Sequence, residues 1–369
     1  MFMMNYFDYS ATTPISDRVN EVMQRCERDF FANINAKHEM ALQSKLFVTG
    51  YINRMIQALN ISESSLVFTS GATESNNMIL FGLAKSYPGK RHILTTSLEH
   101  HSMISPLGIL QKEGYDIEFI PYLNGELDLE VLKNSIRHDT LLVSVIAVES
   151  ETGMIHPLKK IKAICDEHQI PLHSDVTQAI GKTEIDFQDV TYASFSSHKI
   201  YGPKGIGACI IQKQDIKPLI VGGGSLSKLR AGTPPNALIV GFAQALIDSL
   251  EHLHERQTLV NQRYQYLVEQ VSSLDQIHIN QPKHGVKNIC NLSIAKSKRN
   301  QTIEKLSLYG CFASASSACS GQEDLSKAVF NITQNQDYAS TSIRVSLSHM
   351  TKLEEIDALV EGIKKVINT

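Results

Sequence analysis

One lysine near the middle of the chain has the surroundings of a covalent cofactor site. Lys199 follows an apolar run, Tyr192–Phe195, that we predict to be a strand, and a polar turn separates the two. Open α/β sheets place ligands at the carboxyl ends of their strands, and a lysine amine can form a Schiff base with an aldehyde. Ser196 and His198 lie beside Lys199 and can bind a phosphate. The alternative is a solvated surface lysine, the usual state of this residue.

A second polar turn follows another predicted strand, Leu66–Thr69, and precedes a predicted helix, Glu74–Ser86. The N-terminus of a helix presents free N–H groups and the positive end of the helix dipole, and both attract phosphate. Ala72 and Thr73 lie at this point, and the Thr73 hydroxyl adds a further donor. The alternative is a turn whose polar side chains only cap the helix.

Two more predicted strand ends carry groups that suit a pyridine ring. Asp175 follows an apolar run, and a carboxylate beside the nitrogen of pyridoxal phosphate keeps that nitrogen protonated. Gln178 lies three residues later and can donate to the ring oxygen. His100 follows the predicted strand His92–Thr96 and can stack on the ring and exchange protons near neutral pH. Taken singly, these residues are typical of turns and helix caps; together with Lys199 they predict a pyridoxal phosphate site.

The motifs occur in an order that resembles the cysteine desulfurases of the IscS and NifS group, which are class V aminotransferase-like enzymes. The resemblance covers essentially the whole chain and rests on several motifs taken together. These are Asp8–Pro14, Ser70–Asn77, Glu99-His100, Asp175–Gln178, Ser196–Gly205, Gly222–Gly224, Arg230–Thr233, Ser316–Ser320 and Ser342–Leu347.

The resemblance implies a role for each matching position. Lys199 would carry the cofactor, Asp175 would pair with the pyridine nitrogen and Gln178 with the ring oxygen. His100 would stack on the ring and move protons. Arg344 would bind the substrate carboxylate, for which a planar bidentate guanidinium is suited. The positions implied for the phosphate are Ala72, Thr73, Ser196 and His198.

Sulfur chemistry is implied for Cys319, which lies in a run of small residues, Ala315–Gly321. The resemblance makes it the thiol that takes sulfur from L-cysteine, so that L-alanine is released and a persulfide remains on the protein. A sulfur-acceptor protein, such as an assembly scaffold or a tRNA-thiolation enzyme, would then receive the sulfur. Thr233 would reach the phosphate of the other subunit, which implies a homodimer. The other five cysteines lie in apolar or regular settings and are expected to be buried, inert thiols.

The substrate side departs from the family pattern at Ser150, where the family has an asparagine that helps to position the substrate. Two alternatives to a cysteine desulfurase therefore stay open. One is another class V enzyme, namely a selenocysteine lyase, an aminotransferase or a β-lyase. The other is a protein of the same fold that has lost turnover and acts as a scaffold. Cys319 favours the desulfurase over the aminotransferase, because transamination needs no acceptor thiol.

The composition excludes several other classes of protein. The chain has 369 residues, of which 42% are hydrophobic and 20% are charged, and its net charge of -3 gives no reason to expect direct nucleic-acid binding. No apolar run is long enough to span a bilayer, and the first residues lack the basic region of a secretory signal. The six cysteines include no C-x-x-C pair. We therefore expect a cytoplasmic protein with reduced thiols, no membrane association and no metal site.

Alternating short apolar runs and helical segments predict an α/β fold with a mostly parallel sheet and helices on both faces. One run, Leu141–Val148, is expected to be a continuous buried strand. A long helical region with an interruption follows over Asn236–Val271, and the rest mixes strands and helices. The resemblance implies a fold-type I pyridoxal-phosphate-dependent transferase. Its large domain would span residues 14–250, and residues 1–13 and 251–369 would form a smaller α+β domain that carries the acceptor-cysteine loop.

Overall fold

A computed structural model describes residues 4–213, 215–223, 226–315 and 325–368. The strands are β1 (Asn5–Tyr6), β2 (Leu66–Thr69), β3 (His92–Thr96), β4 (Asp116–Ile120), β5 (Tyr122–Leu123), β6 (Glu126–Leu127), β7 (Thr140–Ser144), β8 (Leu172–Asp175), β9 (Tyr192–Ser196), β10 (Gly207–Ile211), β11 (Ile277–Ile279), β12 (Ile289–Ile294), β13 (Cys311–Phe312) and β14 (Ser342–Ser346). The α-helices are α1 (Asp17–Asp29), α2 (Glu39–Leu59), α3 (Ala72–Ser86), α4 (His101–Lys112), α5 (Leu129–Ser135), α6 (Leu158–Glu167), α7 (Asn236–Glu251), α8 (Leu253–Val271), α9 (Arg299–Leu308), α10 (Lys327–Thr333), α11 (Gln336–Thr341) and α12 (Leu353–Ile367).

The central sheet has the strand order β2-β10-β9-β8-β7-β3-β4. The neighbours from β9 to β4 are parallel, whereas β10 is antiparallel to both β2 and β9. Successive side chains of β10 pack in two different apolar clusters, Ala208 and Ile210 in one and Cys209 and Ile211 in the other. Because strand side chains alternate between faces, both faces of the sheet are covered. The predicted α/β architecture with a mostly parallel sheet is confirmed.

The expected continuous strand over Leu141–Val148 is wrong in its second half, because regular pairing ends with β7 at Ser144. On one side, β3 pairs only with the first residues of the run. On the other side, the chain still follows β8: the N–H groups of Val145 and Ala147 each donate to a β8 carbonyl at 3.0 Å. The run is therefore buried as expected, but beyond Ser144 its backbone bonds to β8 continue and its pairing with β3 does not.

The C-terminal third builds a second, smaller sheet from β11, β12 and β14, which are antiparallel. Two helices, α7 and α8, form the predicted long helical region and meet at His252, so the predicted interruption is confirmed. The N-terminal residues join this part of the molecule, since β1 pairs with β13 and Phe7 packs with α8 and α12 residues. This packing supports the division into residues 14–250 and the remainder, which stays a proposal. No helix in the described ranges is long and apolar enough to span a membrane.

Candidate active site

The carboxyl ends of several strands meet at one edge of the central sheet and enclose a cavity of about 220 Å³. Asp175 is the last residue of β8, Ser196 is the last of β9, and His100 follows β3. Since β2 runs in the same direction as β9, α3 also begins at this edge, at Ala72. The predicted site residues that line the cavity are Ala72, Thr73, His100, Ser150, Asp175, Gln178, Ser196, His198, Lys199 and Arg344.

Lys199 ends a short 3-10 turn that directly follows β9. Its Nζ donates to the carbonyl oxygen of Ala11 at 2.8 Å and also to that of Ser10. Two residues later Tyr201 has a φ of 67°, a left-handed conformation that costs a non-glycine residue about 1–3 kcal/mol. The Tyr201 hydroxyl lies 2.6 Å from the Ser348 hydroxyl, which helps to hold this turn. The chain thus accepts local strain next to the residue that the sequence assigns to the cofactor.

Asp175 is buried, and each of its carboxylate oxygens accepts one hydrogen bond. Oδ2 accepts from Asn76 Nδ2 at 2.9 Å, and Oδ1 accepts from the Thr177 N–H at 3.0 Å. Gln178 is held in a similar way, because its Nε2 donates to the Ser10 carbonyl at 2.8 Å and its Oε1 accepts from Lys182 Nζ at 2.5 Å. The orientation of both side chains is therefore set by the protein itself.

His100 caps the N-terminus of α4 with its own ring. Its Nδ1 accepts from the Ser102 N–H at 3.1 Å and lies 2.9 Å from the Ser102 hydroxyl. Burial lowers the pKa of His100; the Asp175 carboxylate opposes this shift and the Lys199 amine adds to it. A histidine whose pKa is lowered from its usual value is neutral at pH 7, so His100 can take up a proton during a reaction.

The turn before α3 has the properties of an anion site. The N-cap residue, Gly71, has no side chain to satisfy the first N–H groups of the helix. One of these, the Ala72 N–H, donates to Ser196 Oγ at 2.8 Å and so fixes the turn to the end of β9. A side chain cannot be accommodated at Gly207 of β10, since its Cβ would lie 2.6 Å from the Gly71 Cα. Gly207 therefore permits the close approach that builds this turn.

His198 also lines the cavity, and its Nδ1 lies 3.1 Å from the Thr12 hydroxyl. Burial and the neighbouring Lys199 lower the pKa of His198 to about 4. It can therefore contribute hydrogen bonds but no positive charge at neutral pH.

Arg344 reaches the cavity from β14 of the smaller sheet and is 1% exposed. One terminal nitrogen donates to the Ser150 carbonyl at 2.9 Å, and the other donates to Asp8 Oδ1 at 2.8 Å. The guanidinium Nε is buried and has no hydrogen-bond partner among the described residues. This side of the cavity thus presents the positive charge of Arg344. Its hydrogen-bond partners, Ser150 and Asp8, come from two distant parts of the chain.

Two predicted residues lie elsewhere. Thr233 is exposed and does not line the cavity of its own chain, so its contribution to a second subunit stays a prediction. Cys319 lies outside the described residues. The prediction for the remaining cysteines is confirmed, since all five are free and buried: Cys26, Cys165, Cys209, Cys290 and Cys311. Burial raises the pKa of each; for Cys165 the pKa rises to about 12.

Two residues that orient the site were not among the predicted ones. Asn76 lies within the Ser70–Asn77 motif, so its proximity to Ala72 and Thr73 was a usable signal. Lys182 follows Gln178 by four residues, the spacing at which side chains meet on a helix or in a helical turn. The sequence position of Asn76 or Lys182 does not by itself show that its partner is Asp175 or Gln178.

Residues 5–359 match the family described as Aminotransferase class-V. The chain belongs to this family. Among curated relatives, it is 37% identical over 366 residues to "Cysteine desulfurase IscS" of Rickettsia typhi, and the match covers 96% of this chain and 89% of the relative. It is 34% identical over 368 residues to "Cysteine desulfurase, mitochondrial" of Arabidopsis thaliana, which covers 96% of this chain and 81% of the relative.

Solved structures share the fold. A NifS-like protein superposes with a TM-score of 0.92 at 32% sequence identity and covers 99% of this chain and 100% of its own. A structure described as "SspA in complex with cysteine" has a TM-score of 0.81 at 30% identity, with 93% of this chain and 98% of that chain covered. The predicted family and the fold that it implies are confirmed.

Proposed function

We propose that this protein is a pyridoxal-phosphate-dependent cysteine desulfurase, which converts L-cysteine to L-alanine and keeps the sulfur as a persulfide on Cys319. The observation that carries the proposal is the cavity itself, where Lys199, Asp175 and His100 from one sheet face Arg344 from the other. The curated relatives named cysteine desulfurase support the same reaction.

The cavity fits pyridoxal phosphate in its chemistry. It offers an amine, a buried carboxylate and a helix N-terminus without a side-chain cap. Ser10 and Thr177 also line it, and their buried hydroxyls have no partner among the described residues. When bound, the cofactor supplies an aldehyde that links to amines and a protonated ring that withdraws electrons from the substrate Cα. Lys199 would hold the aldehyde and Asp175 the ring nitrogen.

The remaining cofactor contacts follow from the same cavity. Gln178, with one Nε2 hydrogen left after its bond to Ser10, would donate to the ring oxygen. The phosphate would lie at the α3 N-terminus, and the residues that would hold it are Ala72, Thr73, Ser196 and His198.

Other residues would bind the substrate and take part in the reaction. Arg344 would bind the substrate carboxylate through its buried guanidinium, and Ser150 would contact the substrate from the same side. His100, whose lowered pKa keeps it neutral at pH 7, would take up or return a proton during the reaction. The Cys319 thiolate attacks the substrate sulfur. A sulfur–sulfur bond forms as the carbon–sulfur bond breaks, and its electron pair remains on the carbon skeleton, which takes up a proton and leaves as alanine.

We also propose a substrate, an oligomeric state, a sulfur acceptor and a cell compartment for this protein. The substrate is L-cysteine, the protein is a homodimer in which Thr233 completes the phosphate site of the other subunit, and an acceptor protein removes the sulfur. The free, buried cysteines fit a reducing compartment such as the cytoplasm. If the dimer completes the site, Thr233→Ala should weaken cofactor retention without changing the lining of its own cavity.

The test is to incubate the purified protein with L-cysteine, and in a parallel sample with L-selenocysteine, and to quantify alanine, pyruvate and protein-bound persulfide. The proposal expects alanine and persulfide in equal amounts, and continued turnover once a thiol reductant removes the sulfur. Pyruvate with free sulfide would indicate a β-lyase, and a keto acid that retains the sulfur would indicate an aminotransferase. Alanine formation only from selenocysteine would indicate a selenocysteine lyase, and no product at all would favour a scaffold. Each of these outcomes contradicts the proposal.

A further inference from the structure

Two buried polar residues, Asn76 and the cavity-lining Ser102, connect groups that lie far apart in the chain. Asn76 projects from the first turns of α3 and is fully buried, and Ser102 is the second residue of α4. Asn76 Nδ2 donates to Asp175 Oδ2 at 2.9 Å and to Ser102 Oγ at 2.8 Å. Since Asp175 is 99 positions away from Asn76, this contact exists only in the folded protein.

The direction of each hydrogen bond in this group is determined by chemistry. An ionised carboxylate can only accept, so the amide of Asn76 must turn its nitrogen and not its oxygen toward Asp175. Both hydrogens of that nitrogen are then used, one by Asp175 and one by the Ser102 oxygen. Because the Ser102 hydroxyl accepts from Asn76, its own hydrogen is available for His100 Nδ1, 2.9 Å away.

The chain of bonds ends on one particular nitrogen of the His100 ring. Nδ1 receives the Ser102 hydroxyl hydrogen and also the Ser102 backbone N–H at 3.1 Å. A nitrogen that accepts cannot carry a proton, so the single hydrogen of the neutral ring must lie on Nε2. His100 lines the cavity, and its Nε2 hydrogen is the one that remains for a ligand of the cavity.

We infer that Asn76 and Ser102 are positioning residues, which hold His100 with its ring hydrogen on Nε2 and link its orientation to that of Asp175. The inference deepens the proposed function and rests on it, because His100 is the proton-moving group of that proposal. The arrangement leaves Asn76 Oδ1 buried without a hydrogen-bond partner among the described residues, which lowers stability. This cost fits a side chain whose amide nitrogen is needed for its bonds to Asp175 and Ser102.

The same bonds oppose protonation of His100. A second ring proton would have to lie on Nδ1, where it would face the Ser102 backbone N–H and would break the hydrogen bond that the Ser102 hydroxyl donates. The other titratable groups that act on His100 are Asp175 on β8, Lys199 after β9, and His101 on its own helix. Removal of the Ser102 hydroxyl leaves these groups in place, so its effect on the ring can be measured separately.

The test uses full-length protein labelled with ¹⁵N-histidine, in which His100 is identified by the signal that disappears in His100→Gln. In the wild type, the nitrogen without a proton should be Nδ1 across the neutral pH range. Ser102→Ala should raise the ring pKa by up to about one unit and shift the acid limb of kcat/KM to higher pH by the same amount, as expected for one hydrogen bond. Ser102→Thr keeps the hydroxyl and should restore both values.

Asn76→Ala should release both ends of the network, so that the His100 signal shifts as in Ser102→Ala and the cofactor dissociates about tenfold faster. Matched controls are Ser105→Ala, an exposed serine of α4, and Asn77→Ala, whose amide bonds to the Thr73 carbonyl of its own helix; neither should move the His100 signal.

A wild-type spectrum with the proton on Nδ1 would overturn the inference. An unchanged ring pKa and acid limb in Ser102→Ala would do so as well. Failure of the proposed function is a separate result, since it would show as absence of alanine in the wild type while the histidine spectrum still reports the tautomer.

Discussion

The two walls of the cavity are held in different ways. On the wall formed by the large sheet, Asp175 and Gln178 are bonded to neighbours that need not move when a ligand binds. On the opposite wall, the two terminal nitrogens of Arg344 are already bonded to Asp8 and to the Ser150 carbonyl. A substrate carboxylate must share or replace these bonds. Under the proposed function, the first wall would be preorganised for the cofactor, and the second would exchange one partner of Arg344 for the substrate carboxylate.

This difference predicts that the two functions can be separated by substitution. Substitutions on the sheet wall should weaken cofactor retention first. Its side chains are joined in hydrogen-bonded networks, so the loss of one member also disturbs the others. Changes on the Arg344 wall should leave the cofactor bound and alter the binding of substrate. A buried guanidinium needs an anionic or carbonyl partner at all times, so Asp8 holds Arg344 between turnovers.

The largest effect is expected for Lys199→Ala, which removes the amine that would link the cofactor to the sheet wall. Wild-type protein treated with borohydride should carry a pyridoxyl group on Lys199 by peptide mass spectrometry, and the variant should carry none. Lys204→Ala, an exposed lysine five residues away, is the matched control and should behave as the wild type. A wild-type protein without any pyridoxyl group on Lys199 would contradict the assignment.

The next effect concerns the other wall. Arg344→Lys keeps a positive charge but loses the planar fork, so KM for cysteine should rise by about thirtyfold or more while cofactor absorbance stays at the wild-type level. Steady-state kinetics and the visible spectrum measure the two quantities on one sample. If the cofactor is lost together with substrate affinity, the two walls are not independent.

A smaller effect is expected at Ser150, whose carbonyl accepts from Arg344. Ser150→Asn changes the side chain and keeps that carbonyl, so the cofactor should remain bound. Because the longer amide can reach the substrate, kcat/KM should increase by roughly the worth of one hydrogen bond, up to about tenfold. A marked fall in kcat/KM would show instead that this wall is adapted to serine.

The smallest effect concerns the stability of the fold and involves Glu99, the residue before His100. Burial raises the pKa of Glu99 to about 8, although hydrogen bonds from the Ile146 N–H and the Thr96 hydroxyl favour its ionised form. The folded protein thus keeps a proton that the unfolded chain releases near its usual pKa of 4.5. The stability contributed by this proton is present at low pH and is lost as pH rises through about 8.

Glu99→Gln has no such proton to release, so its melting temperature should fall less than that of the wild type between pH 5 and pH 8.5, two values on either side of the shifted pKa. Scanning fluorimetry across this range measures the difference. Glu113→Gln, an exposed carboxyl at the end of α4, is the control and should follow the wild type. Parallel curves for Glu99→Gln and the wild type would show that Glu99 is ionised in the folded state.

Sequence reasoning found those parts of the site that depend on local patterns. A polar group directly after an apolar run predicts a strand end, and such ends meet wherever parallel strands share a sheet edge. Lys199, Asp175 and His100 were located in this way. The partners that orient them were not, because the Asn76–Asp175 contact joins segments 99 residues apart and no local pattern records it.

The helices and strands likewise differ in how far local sequence predicts them. Apolar runs predicted most strands of the central sheet, but the end of β7 depends on where its neighbour β3 stops pairing. Helices α1 and α2 were not predicted. In α2 the helical periodicity of apolar residues is weak, because three large hydrophobic side chains are exposed: Met40, Leu42 and Leu46. In α1 the buried face is reduced to Val19 and Cys26.

The most direct test of the account is to locate the sulfur. Wild-type protein should be treated with L-cysteine, digested without reductant, and analysed by peptide mass spectrometry, with Cys319→Ser treated in parallel. The account predicts one additional sulfur atom on the Cys319 peptide, none on the five buried cysteines, and a Cys319→Ser variant that binds the cofactor but releases almost no alanine. Sulfur on a different cysteine, or wild-type turnover in Cys319→Ser, would contradict it.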